Sequence, residues 1–157
     1  MAKDKSLPFG LTQEVRDTCL CLHMQRAARA LARHFDDALR PLGLTNGQFS
    51  ILMSLNRVDS PTIGSVAALL TMDSTTLTAN LKPLERRGLL RLTIDAKDRR
   101  IRRPKLTPEG RALLISAVRI WKRKHTEVER LLGAASAGRL RADLRALSWA
   151  QSIPASA

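Results

Sequence analysis

Apolar residues recur at spacings of three and four from Thr12 to Arg40. Val15, Cys19 and Leu22, with Leu20, Ala27, Leu31, Phe35 and Leu39, mark the stripe of one long helix that Pro41 stops. A helix of about 28 residues would be ~42 Å long, more than a small domain can cover. Its surplus apolar surface predicts a partner chain. "TNGQ" at 45–48 matches a capping box, with Thr45 taking one free N–H and Gln48 reaching back to another, so a second helix begins there with Phe49, Leu52 and Leu55 inward. "DSPT" interrupts the chain, and Ile63, Val66, Ala67 and Leu70 form the buried face of a short third helix. After "TMDS", Asp73 or Ser74 caps a fourth helix with Leu77, Leu81 and Leu84 inward and Gly88 at its end. Pro83 lies inside that helix and removes one backbone hydrogen bond, which predicts a kink or a tightened last turn.

The period then changes. "LLRLTI" alternates Leu90, Leu92 and Ile94 on one face, and "IRRPKL" returns after a charged turn, with Pro104 confining the return strand to an edge. In "LTPEG", Thr107 is an N-cap, Pro108 the first helical residue and Glu109 an acid of the first turn. A long fifth helix is expected from there to about Leu132, closed by Gly133. A last helix carries Leu140, Leu144 and Leu147 in line, ends near Trp149 and leaves "QSIPASA" as a tail.

With 157 residues the chain is one domain, 1–157, of mainly α class. Apolar and charged fractions of 44% and 26% are ordinary, but a net charge of +13 is not. Between Lys82 and Lys105, ten basic residues stand against Glu85, Asp95 and Asp98, so this segment alone carries +7 of the +13. A charge so concentrated points to a polyanionic partner. The order of elements, two short helices and then a basic hairpin, is a winged helix-turn-helix over 44–106, flanked by helical segments 12–40 and 107–150. Thr75, Thr76, Thr78 and Asn80 face outward from the fourth helix and suit base edges in the major groove, with Ser74, Lys82, Arg86 and Arg87 on phosphates. In the wing, Lys97, Asp98, Arg99, Arg100, Arg102 and Arg103 lie beside phosphates or the minor groove. The expected partner is double-stranded DNA. The alternative is a basic RNA-binding or architectural protein without sequence choice, although 3% aromatic content and no Tyr leave little for stacking single-stranded bases.

From Leu44 to Gly110, and more loosely over almost the whole chain, the sequence resembles the MarR (multiple antibiotic resistance) regulators. The resemblance is carried by "LTNGQFSILMSL", "STTLTANLKPLERRGLL" and "DAKDRRIRRPKLTPEG". In that family the wing has an Asp-x-Arg-Asp-x-Arg pattern followed by Leu-Thr-x-x-Gly. Asp95, Asp98, Arg100, Leu106, Thr107 and Gly110 match it, whereas Lys97 replaces the first arginine and cannot form a bidentate fork. The resemblance implies a homodimer with interleaved first, fifth and sixth helices and two winged lobes on a pseudo-palindromic operator. It also implies repression, relieved when a small-molecule effector or an oxidant alters the spacing of the lobes.

Acids beside phosphate need a reason, and Asp98 is expected to pair with a nearby arginine and fix the wing tip, leaving Arg99 or Arg100 for the minor groove. Cys19 and Cys21 invite a sensor reading, but residues two apart on a helix point about 200° apart and do not readily bridge. His23 follows Cys19 by one turn, and a metal there would need a further ligand, so no metal site is assigned. Where the first helix meets the winged lobe, an effector cleft is expected among Cys19, His23, Arg26, Phe49 and Met53. Catalysis is not expected. There is no phosphate-binding glycine loop and no His-Glu-x-x-His, and His23, His34 and His125 stand apart without a partnering acid pattern, so no cofactor is assigned. No apolar run approaches the ~18 residues of a spanning helix, and the N-terminus has no apolar leader core, so a cytoplasmic protein without a membrane partner is expected. Two closely spaced cysteines agree with a reducing compartment.

Overall fold

The computed structural model describes residues 7–148. The helices are α1 (Phe9–Thr18), α2 (Leu20–Leu39), α3 (Asn46–Ser54), α4 (Ile63–Leu70), α5 (Ser74–Arg86), α6 (Pro108–Leu132) and α7 (Ala134–Ser148). Strands β1 (Leu90–Ile94) and β2 (Arg102–Leu106) form an antiparallel hairpin between α5 and α6, with Leu90 opposite Leu106 and Ile94 opposite Arg102.

The single first helix expected from the pattern is two helices. They part at Cys19, whose φ of −69° and ψ of 106° are extended. Local bonds flank the break. The Thr18 hydroxyl donates to the Glu14 carbonyl at 2.8 Å, and the His23 ring lies 3.2 Å from the Asp17 carbonyl, so side chains reach the end of α1 where the next helical turn would otherwise follow. No residue of α1 is buried, so no packing holds it in line with α2.

Helices α3, α5 and α6 start where the capping residues placed them. Thr45 and Gln48 make both halves of the capping box on α3. Thr62 caps α4, and Asp73, rather than Ser74, caps α5. α5 runs through Pro83, and its last turn tightens as Gly88 N–H donates to the Glu85 carbonyl at 2.8 Å. Leu39, Leu52, Leu77, Leu81 and Leu84 have no exposed surface and form the centre of a core that α2, α3, α4, α5, the hairpin and α6 enclose. Leu90 is buried in that core, whereas Ile94 is exposed, so the hairpin's apolar alternation fades as it leaves the lobe.

Thr107 joins the hairpin to α6. Its oxygen accepts from Gly110 N–H at 3.0 Å and its hydroxyl donates to the Gly88 carbonyl at 2.6 Å. The helix start then lies so close to β1 that a Cβ on Gly110 would sit 1.8 Å from the Leu89 carbonyl oxygen. This backbone contact fixes the angle between the wing and α6.

Along α1, α2, α6 and α7 the apolar stripes are only partly covered. Phe9, Val15, Leu20, Leu131, Leu140, Leu144 and Leu147 are all exposed. The expected end near Trp149 and the tail Gln151–Ala157 lie outside the described residues. Among those residues no helix is long and apolar enough to cross a membrane.

Candidate nucleic-acid interface

The first turn of α5 is held by Asp73, which accepts from Thr76 N–H at 2.7 Å and from the Thr76 hydroxyl. These bonds hold its carboxyl below the usual carboxylate range. Ser74, Thr75 and Thr76 are exposed on that turn. Thr78 and Asn80 are half-buried and bond back along the helix, Thr78 to the Ser74 carbonyl at 2.7 Å and Asn80 to the Thr76 carbonyl at 2.9 Å. The Thr78 hydroxyl proton and one of the two Asn80 amide protons are therefore engaged, while the second Asn80 amide proton, the Asn80 amide oxygen and the Thr78 lone pairs remain. Acceptors of this kind suit the exocyclic amino groups of adenine and cytosine in the major groove.

Lys82 and Arg86 are exposed farther along α5 and have no carboxylate partner among the described residues. Arg87, expected beside them, is occupied elsewhere. Its guanidinium donates to the Gly43 carbonyl and, at 3.2 Å, to the Leu42 carbonyl, tying the end of α5 to the turn after α2.

The wing tip is braced chiefly by Asp95. Its carboxylate accepts from Lys97 N–H at 2.7 Å, from Asp98 N–H at 3.0 Å and from the Arg103 guanidinium, and its side chain is only 11% exposed. Arg103 in turn donates to the Ser60 carbonyl at 2.6 Å, anchoring the hairpin to the loop before α4. Asp98, expected to hold the tip, does pair with an arginine, but loosely and at the surface. Its carboxylate accepts from Arg100 N–H at 2.9 Å and lies 3.4 Å from Arg100 Nε. Arg100 is 93% exposed, and Lys97, Arg99 and Arg102 are exposed as well. Arg103 is thus turned inward and the other four basic side chains outward.

Asp95 was legible in part, since an aspartate bonding the N–H two residues on is a common turn device. Nothing in the sequence flags Ser60. The Arg103 guanidinium, with the two backbone N–H groups, pulls the Asp95 carboxyl from its ordinary 3.8 to about 2. A depressed carboxyl stabilises the fold above its unfolded value. The brace should therefore be intact at neutral pH and lost as pH falls from 3.8 through about 2, which NMR of the Lys97 and Asp98 amides would follow.

A groove of about 340 Å³ joins the two halves of this surface. It is lined by Thr62, Ile63 and Gly64 at the start of α4, Ser74 at the start of α5, and Arg100, Ile101 and Arg102 from the wing.

The residues expected to line an effector cleft do not all come together. Phe49 and Met53 line a cavity of about 560 Å³ whose other walls are Leu69 and Leu70 of α4 and Val118, Trp121 and Lys122 of α6. Cys19, His23 and Arg26 are not part of it. The break at Cys19 and the His23 contact with Asp17 keep the first two at the α1–α2 junction, and Arg26 borders a separate depression on α2 with Arg29 and Arg33. That break also removes the helical geometry that set the two thiols apart. Among the described residues no group of three or more His, Cys, Asp or Glu side chains is placed to hold a metal ion.

The MarR family profile matches residues 44–101, from the turn before α3 to the wing tip. The chain is 34% identical over 97 residues to the HTH-type transcriptional regulator TtmR of Methylorubrum extorquens, a match spanning 62% of this chain and 50% of that relative's length. It is 38% identical to the transcriptional regulator MosR of M. tuberculosis in complex with DNA, with a TM-score of 0.78 over 88% of this chain and 99% of that one. The transcriptional repressor CouR bound to a 23-mer DNA duplex is 28% identical, with a TM-score of 0.78 over 91% of this chain and 99% of that one.

Proposed function

Because this chain belongs to the MarR family of transcriptional regulators, we propose that it is a homodimer whose two winged lobes bind a pseudo-palindromic duplex operator and repress transcription until a signal releases them. The observation that carries this reading is the groove in which Ser74 of α5 meets Arg100 and Arg102 of the wing. It makes one surface of the base-reading helix start and the basic hairpin. Residues 44–106 are the DNA-binding lobe in this reading, and 12–40 with 107–150 the dimerisation region.

The uncovered apolar stripes support the dimer. Leu131 is 84% exposed and Phe9 72%, surfaces that a lone chain would leave in water. Size-exclusion chromatography at micromolar concentration should give a dimer, and a monomer would undo the operator model. DNA-bound MosR and CouR support the duplex as ligand.

On fluorescently labelled operator, Arg100→Ala and Arg99→Ala should each weaken binding and lower the slope of log affinity against log salt by about one. If both variants match the unaltered protein across the salt series, the wing assignment fails. Thr75→Ala should instead reduce the preference for operator over scrambled duplex with little change in salt slope.

For the releasing signal, the Phe49–Met53 cavity supports a small molecule. An oxidant is supported by Cys19 and Cys21 at the break between α1 and α2, with the Cys21 sulfur exposed and contacted by the Gln25 amide at 3.3 Å. Peroxide separates the two: it should release the unaltered protein but not a Cys19→Ser, Cys21→Ser double variant, and no release of the unaltered protein leaves the small molecule alone.

A further inference from the structure

The buried residues of α5 fix which of its side chains face outward. Leu77, Leu81 and Leu84 have no exposed surface. At ~100° per residue, Ala79 lies about 200° from both Leu77 and Leu81, at the centre of the opposite face. Thr75 one turn before it, Lys82 one turn after it and Arg86 farther along share that face, and all are exposed. Ser74 and Glu85 lie on the flank that meets the wing, Ser74 in the groove with Arg100 and Arg102, and Glu85 accepting from Leu92 N–H at 3.2 Å. Thr78 and Asn80 lie to either side of Ala79, half-buried, and bond back to the Ser74 and Thr76 carbonyls. The most outward group in the middle of the helix is thus a methyl, which a search for hydrogen-bonding side chains passes over.

We infer that Ala79 reads the C5 methyl of a thymine in the major groove, making one T·A pair in each half-site a determinant of binding. The inference rests on the reading of the chain as a sequence-reading duplex binder, and it names a base which that reading leaves open. Among the four bases only thymine carries a methyl on its major-groove edge. Against any other base the Ala79 Cβ would cover an amino group or a carbonyl oxygen without offering it a hydrogen bond, and an unpaired polar group is costly.

Side-chain length matters as well. Ala79 ends at Cβ, so α5 can settle onto the base edges. Lys82 and Arg86 have no carboxylate partner among the described residues and are long enough to reach phosphates beside the groove. Removing water from two facing methyl groups involves no charge, so this contact selects sequence and leaves the salt dependence to the basic residues.

The test starts from duplexes that the full chain selects out of a random pool. In the selected site each thymine is replaced by uracil in turn, in both half-sites together, which removes the methyl and keeps every base pair. At one position the replacement should weaken binding about tenfold, or about three- to fourfold per half-site, as expected for one buried methyl in each. In Ala79→Gly the ratio of thymine to uracil affinity at that position should fall to about one, whereas Asn80→Ala should keep it. The ratio compares two duplexes on the same protein, so a less stable helix in the glycine variant does not move it. Ala79→Leu places a good helix former at an exposed position and should fold normally. It should nevertheless bind the selected site at least about tenfold more weakly, because the longer side chain holds α5 off the base edges. A site with no thymine sensitive to loss of its methyl, or a sensitivity that survives in Ala79→Gly, would overturn the assignment. A sensitivity that disappears in Thr75→Ser and not in Ala79→Gly would overturn it too, by giving the contact to Thr75. If no sequence is selected at all the regulator reading fails, whereas a selected site indifferent to uracil defeats only the methyl contact.

Discussion

Gly110→Ala should destabilise the chain by at least about 3 kcal/mol, a large share of the roughly 5–15 kcal/mol that holds a domain of ordinary stability. The cause is a backbone contact, not helix propensity. A Cβ at this position would meet the Leu89 carbonyl oxygen at 1.8 Å, with the Leu89 carbonyl carbon at 2.8 Å, and neither atom belongs to a side chain that could swing away. Relief would require α6 to move off β1, which breaks the Thr107 N–H bond to that same Leu89 carbonyl and the Thr107 bond to Gly88. Gly138→Ala is the matched control. Nothing lies within 4 Å of its added Cβ, and it lies inside α7, so alanine there should stabilise by about 0.5–1 kcal/mol. Urea unfolding of the two variants reads both. A Gly110→Ala chain as stable as the unaltered protein would show that the close approach is not present in solution.

Asp95→Ala should lower operator affinity roughly tenfold even though it removes a negative charge from a basic hairpin. Charge counting alone gives the opposite sign. The loss follows from geometry, because Asp95 holds two tip N–H groups and the Arg103 guanidinium, and Arg103 holds the Ser60 carbonyl. Without it, Arg99, Arg100 and Arg102 are no longer presented together. Asp98→Ala removes the same charge but only a loose surface pair with Arg100, so its effect should stay within about fivefold. Arg103→Ala should mimic Asp95→Ala, and the double variant should lose little more than either single one, as expected of partners in one network. Additive losses, or equal effects at Asp95 and Asp98, would sink the brace.

Much of the lobe was legible because local chemistry and burial agree there. Thr45, Thr62, Asp73 and Thr107 each cap a helix by accepting a backbone N–H three residues on, and the leucines of α5 face inward at the spacing that the sequence displays. The first helix was misread because an apolar stripe says nothing of whether anything covers it. Its break at Cys19 lies next to a helix of which no residue is buried. The wing was legible as a hairpin, but the division of labour within it was not. Asp95 and Asp98 look alike in the sequence, and only the register that sets Thr93 opposite Arg103 brings Arg103 to Asp95. Of the residues expected to line a cleft, Phe49 and Met53 do share one cavity, but its opposite wall comes from α4 and from Trp121 of α6, which spacing alone does not bring together.

The most direct test is footprinting of the purified chain on the DNA flanking its own coding region, with excess nonspecific duplex present. The expected result is protection of a pseudo-palindrome by a dimer, its half-site centres one helical turn or about 10–10.5 base pairs apart, with Thr75→Ala blurring the protection. Uniform coating of any duplex, or protection unaffected by α5 and wing substitutions, would contradict a sequence-reading regulator.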